Sequence, residues 1–125
     1  MTPRLLAQIV AAGRVLVGLM LFVAPTRVTR HWVGATEGER TGTKVMAMGL
    51  GARDIVVGAG ALAALNAGDG DAAKPWLLGS AAADLMDLTA TLRAAGDLPT
   101  GAVAGTVLVA GGAAAAGIYV LTQDV

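Results

Sequence analysis

The stretch AAADLMDLTATL, residues 81–92, sets Asp84 and Asp87 three positions apart inside an alanine-rich apolar run. On a soluble helix the two acids would form an ordinary polar stripe. Inside a bilayer each carboxylate is expensive and needs a partner. The fold therefore turns on whether this run crosses a membrane and on what holds its aspartates. Ser80, Asp84, Asp87 and Thr91 follow one another at spacings of four, three and four, which brings them to one side of a helix.

The rest of the chain favours the membrane. Of 125 residues, 55% are hydrophobic and 14% charged, and the mean hydropathy is +0.67. Soluble domains carry about 25% charged residues. Nine basic residues balance nine acidic ones, so no net field points to nucleic acid, and none is expected as a partner. The absence of cysteine excludes disulfides and thiolate metal sites, and His31 is the only histidine, so no metal or other cofactor is expected. Aromatics at 3% leave few surfaces for stacking bases or flat cofactors.

Crossing roughly 30 Å of hydrocarbon takes about 20 mainly apolar residues. Four segments qualify: 5–24, 45–65, 76–92 and 101–121, the third being short and acidic. Residues 25–44 read as a connection, with four basic residues, Trp32 and turn formers. Residues 66–75 read as a Gly/Asp turn ending at Pro75, with Trp76 at an interface. In 93–100, Gly96 is expected to end one helix and Pro99 to start the next. Within the first segment Arg14 interrupts the apolar run, and Pro25 follows the only small-residue site. That segment is therefore expected to be a retained span rather than a cleaved signal. The expectation is an all-α integral membrane four-helix bundle with antiparallel neighbours, one domain over residues 1–125. The cytoplasmic membrane is the expected location. Arg27, Arg30, Arg40, Lys44 and Arg93 against Arg4 and Lys74 put the 25–44 and 93–100 loops in the cytoplasm and both termini outside.

At about 1.5 Å per residue from the terminus side, Arg14 lies about 13 Å deep and Asp84 about 12 Å. Asp54 and Asp87 both come to about 16 Å and Arg53 to about 18 Å. Five ionisable groups from three helices thus share one slab. Asp54 lies on a stripe of small residues, Ala47, Gly51, Gly58 and Ala61, and Arg14 lies with Ala7, Ala11 and Gly18, so both should face other helices. Unpaired, each charge costs about 2.5–3.5 kcal/mol at a span centre. Pairing is therefore expected: Arg14 and Arg53 bridge the three acids, and the odd acid carries a proton.

The segments AGRVLVGLMLFVAP (Arg14, Gly18, Pro25), MGLGARDIVVGAGALAAL (Arg53, Asp54, Gly58) and AAADLMDLTATL resemble the small four-helix bacterial membrane proteins near the DoxX-like superfamily. The resemblance covers most of the chain and implies a four-helix membrane bundle. It implies no activity.

Function must then come from the charged slab. One possibility is an accessory or scaffold bundle without catalysis, whose charges fix helix register. Its Gly/Ala faces, including Gly101 and Gly105, would receive a second copy or a larger membrane complex. A second is a cofactor-independent membrane enzyme acting on a lipophilic small molecule. Asp84 and Asp87 would then be acid and base, and Arg14 or Arg53 would orient them for epoxide opening, isomerisation or cyclisation. A third is proton-coupled transport through the odd aspartate. Arg53, Asp54, Ser80 and Thr91 complete the candidate cluster. Gly58-x-Gly60-x-x-Ala63 lacks the strand and the surrounding unit that nucleotide binding requires, and GERTGTK at 38–44 lacks phosphate-loop spacing. His31 and Trp32 read as interface anchors, with anionic headgroup binding beside Arg27 and Arg30 as the alternative.

Overall fold

The computed structural model describes residues 1–125 and contains only helices. These are α1 (Pro3–Val23), α2 (Pro25–Val33), α3 (Ala35–Gly38), α4 (Thr41–Asn66), α5 (Gly70–Arg93) and α6 (Thr100–Leu121), with a 3₁₀ turn at Ala95–Asp97. Helices α1, α4 and α6 are long and apolar enough to cross a membrane. At 24 residues, α5 matches them in length, but its charges lower its apolar character.

The four long helices run antiparallel to their neighbours, and small residues set the register. A Cβ built on Gly18 would lie 2.6 Å from the Gly51 carbonyl, and one on Gly58 would lie 2.7 Å from the Ala11 carbonyl. Helices α1 and α4 therefore touch backbone to backbone along their length. That is the expected contact where lipid gives no hydrophobic drive and association depends on close packing. The Trp76 ring of α5 lies against Gly60 of α4, and Ala81 of α5 lies against Gly117 of α6. The outward positions are apolar: Leu16 is 60% exposed, Val56 60%, Met86 71% and Leu108 76%. Over their middle turns the long helices are thus apolar outside and charged within, the reverse of a soluble protein.

Local chemistry accounts for the helix ends. Thr2 caps α1 by accepting from the Leu5 amide, and Asp69 caps α5 by accepting from the Ala72 amide. Arg4 Nη2 donates to the Leu65 carbonyl, closing one end of α4. The turn into α5 passes through Gly68 at φ +80°, a conformation that favours glycine.

The connections differ from expectation. Residues 25–44 are mostly helical rather than a loop, because Pro25 restarts the helix after the break at Ala24 and α2 then packs against α1, α4 and α6. Gly34, at φ +95°, turns α2 into α3. There Thr29 Oγ1 lies 2.8 Å from the Gly38 carbonyl and 3.0 Å from that of Pro25, fastening the two short helices together. Pro75 sits inside α5, which starts at Gly70 once Asp69 caps it. Gly96 lies in the 3₁₀ turn and Ala94 ends α5, whereas Pro99 does precede α6.

The interior has two unlike halves. Toward the termini, Ala7, Ala11, Ala61, Leu65, Leu77 and Val120 close the bundle, with Ala73 completing the cluster. Toward α2 the bundle opens into a cavity of about 430 Å³. The charged residues lie at the boundary between the two halves.

Candidate functional site

The buried faces bring the charges together. In α4 the buried positions Ala47, Gly51, Asp54, Gly58, Ala61 and Leu65 form one stripe, and in α1 Arg14 shares its stripe with Ala7, Ala11, Gly18 and Leu21. In α5 Ser80, Asp84 and Thr91 are buried and Asp87 is half-buried beside them. Small side chains on α1 and α4 allow the backbones near enough for Arg14 to reach across to both α4 and α5.

Arg14 Nη1 donates to Asp54 Oδ1 at 2.8 Å, and its Nη2 pairs with Asp84 Oδ1 and donates to the Ser80 carbonyl at 3.1 Å. Arg53 approaches the same Asp54 oxygen through Nε at 3.1 Å and Nη2 at 2.9 Å. Its other face is a two-point clamp on Asp87, from Nη1 to Oδ1 at 3.3 Å and from Nη2 to Oδ2 at 2.8 Å. The order is Asp84–Arg14–Asp54–Arg53–Asp87, two guanidinium groups holding three carboxylates. Forked arginine geometry suits such a chain because each guanidinium has donors to spare.

The three acids are not equivalent. Asp54 is the shared acceptor at the centre, and both Asp87 oxygens are engaged. Asp84 is 7% exposed, and its Oδ2 has no hydrogen-bond partner in the protein; Arg14 Nε is likewise unpartnered. Buried polar atoms are normally satisfied, so this orphaned carboxylate oxygen sets Asp84 apart from the other two acids.

The network borders the cavity. Asp54, Asp84 and Asp87 form part of its wall, whereas Arg14 and Arg53 do not. The remaining wall is mostly apolar: Val17 and Leu21 from α1, Leu50 from α4, Val109 and Ala110 from α6. Helix α2 bounds it with Val28, His31 and Trp32. Trp32 Nε1 donates to Thr91 Oγ1 at 3.3 Å, tying α2 to α5. His31 Nδ1 is 2.8 Å from the Arg27 carbonyl. A carbonyl only accepts, so Nδ1 carries the proton there and the neutral ring keeps Nε2 as an acceptor.

Of the residues singled out from sequence, Arg14, Arg53, Asp54, Asp84 and Asp87 form one network. Ser80 joins it through its backbone carbonyl. Thr91 serves instead as the acceptor for Trp32. His31 and Trp32, which read from sequence as interface anchors, line the cavity. So do Gly101 and Gly105, where an added Cβ would meet nothing within 4 Å. The amphipathic pattern of PTRVTRHWV is the signal that residues 25–33 lie against the bundle. No three acidic or histidine side chains are arranged to hold a metal ion.

No family model, curated protein or solved structure matches this chain.

Proposed function

We propose that this chain is a four-span integral membrane protein whose cavity beside α2 binds a lipophilic small molecule, with Asp84 as its polar anchor. The observation that carries this is the buried, unpartnered Asp84 Oδ2 in a residue that lines a mainly apolar cavity of about 430 Å³. Small-molecule sites commonly have this size and this mixture of apolar walls with a few polar groups.

Counting α5 as the fourth span is supported by where its polar groups point. From Trp76 to Leu92 its exposed positions carry no charge, and the exposed Thr89 hydroxyl donates to its own helix at the Leu85 carbonyl, 2.7 Å away. Asp84 and Asp87 face inward and are paired. The positive residues near α2, α3 and the start of α4 favour the cytoplasmic side for that end of the bundle. This arrangement also agrees with the resemblance to the small bundles near the DoxX-like superfamily.

A bound molecule with a transferable proton would sit against Asp84, so acid–base chemistry such as isomerisation or epoxide opening suits the site better than it suits the clamped Asp87. The competing proposal is an accessory bundle in which all five charges only fix helix register. It is favoured by the near-complete pairing of Asp54 and Asp87.

Native mass spectrometry of the protein released from membranes decides between them. The expected result is a small molecule retained by the parent and lost from Gly105→Phe, which fills open space at the cavity wall without touching a charge. Retention of no molecule by the parent, with full stability of Gly105→Phe, would favour the accessory bundle.

A further inference from the structure

We infer that the cavity selects lipophilic cations, protonated amines with a compact apolar body, over neutral or anionic molecules of the same shape. This rests on the cavity being a ligand site, as proposed above, and adds the charge of the ligand.

Three features carry it. The first is a mismatch between the network and its exposed face: three carboxylates meet two guanidinium groups, yet only the carboxylates line the cavity. Arg14 and Arg53 are not part of its wall, and their Nη groups are engaged by the acids. A molecule in the cavity therefore sees acceptors without the neutralising donors. The second is Asp84 itself, whose side chain is 10% exposed at the cavity wall and has one oxygen without a partner in the protein. Much of its desolvation cost is met when the fold forms, and an ammonium group at that wall meets the carboxyl that the arginines pair least completely. The third is the rest of the wall. Val17, Leu21, Leu50 and Val109 offer only apolar contact, and His31, with Nδ1–H committed to the Arg27 carbonyl, presents no second donor in its neutral form. The Trp32 ring adds a face that attracts cations. An anion would meet three acidic side chains at the wall and neither arginine. A neutral alcohol would make one hydrogen bond but could not take the place of the proton expected on the odd acid.

The test uses three probes with one cage: 1-adamantanamine, 1-adamantanol and 1-adamantanecarboxylate. Binding to the full chain in detergent micelles is measured by equilibrium dialysis, with uptake by empty micelles subtracted. The amine should bind at least about tenfold more tightly than the alcohol, as a charge-assisted bond exceeds a neutral one. The carboxylate should bind weakest. Asp84→Asn should bring amine and alcohol to within about twofold of each other. Gly105→Phe should weaken all three, and it keeps the test open if Asp84→Asn unfolds. Equal binding of amine and alcohol to the parent would overturn the charge selection and leave the lipophilic site standing. No binding of any probe above the micelle background would overturn both. An amine preference that survives both substitutions would place the cation elsewhere and overturn the inference.

Discussion

Replacing Asp54 by asparagine removes the one carboxylate that both buried arginines share. A single oxygen of Asp54 accepts from Arg14 Nη1 at 2.8 Å and from Arg53 Nη2 and Nε at 2.9 and 3.1 Å. Asparagine keeps an acceptor there but no charge. The guanidinium donors keep their charge, so each bond weakens without becoming a neutral one; at about 1 kcal/mol each, the three lose about 3 kcal/mol together. Removing one partner of a buried pair independently gives about 3–5 kcal/mol. Asp84→Asn should behave differently. One pairing, to Arg14, weakens by about 1 kcal/mol, and the loss of an unsatisfied buried charge offsets part of that. Asp87→Asn should fall between the two at about 1–2 kcal/mol, because its side chain is 25% exposed and that of Arg53 35%. The assay is reversible unfolding in mixed micelles, followed by far-UV circular dichroism with a denaturing detergent as titrant. The expected order of loss is Asp54, then Asp87, then Asp84. If Asp84→Asn costs as much as Asp54→Asn, Asp84 is a structural counter-ion of Arg14 and the cavity loses its anchor.

Gly58→Ala should destabilise by about 1–3 kcal/mol, because its Cβ would press on the Ala11 carbonyl. Gly13→Ala, with nothing within 4 Å, should gain up to about 1 kcal/mol in the same unfolding assay. A gain at both positions would mean that α1 and α4 do not meet as described. Single cysteines at Glu37 and Asp97 should label from one side of the membrane and those at Asp69 and Asp124 from the other, in a chain with no native cysteine. Labelling of Asp69 and Asp97 from the same side would remove α5 from the spans. In a double-mutant cycle, Trp32→Phe and Thr91→Val should couple by about 0.5–1.5 kcal/mol through the lost Nε1–Oγ1 bond. Strict additivity would show that this bond does not hold α2 to α5.

Several parts of the site are legible in the amino-acid order. The stripes Ala47–Gly51–Asp54–Gly58–Ala61 and Ala7–Ala11–Arg14–Gly18 are buried as their spacing predicts. Helical period fixes azimuth, and small side chains mark where backbones can touch. Depth arithmetic puts five charges on one level because rise per residue is constant. It gives no pairing, since level says nothing about which arginine turns toward which acid. Residues 25–44 read as a connection because Pro25 and Gly34 are turn formers in isolation. In the fold Pro25 opens α2 and Gly34 joins it to α3.

By itself the sequence determined an all-helical chain, three of whose four expected spans are helices long and apolar enough to cross a membrane, and which faces of α1, α4 and α5 turn inward. These follow from local composition and helical geometry, which need no knowledge of neighbours. Only the tertiary structure decided that Asp54 is shared, that Asp87 is clamped, and that one oxygen of Asp84 is left over. Only it placed His31, Trp32, Gly101 and Gly105 around one cavity. Those outcomes depend on the volumes and reach of side chains from five helices meeting at one place. No stretch of one helix contains that information.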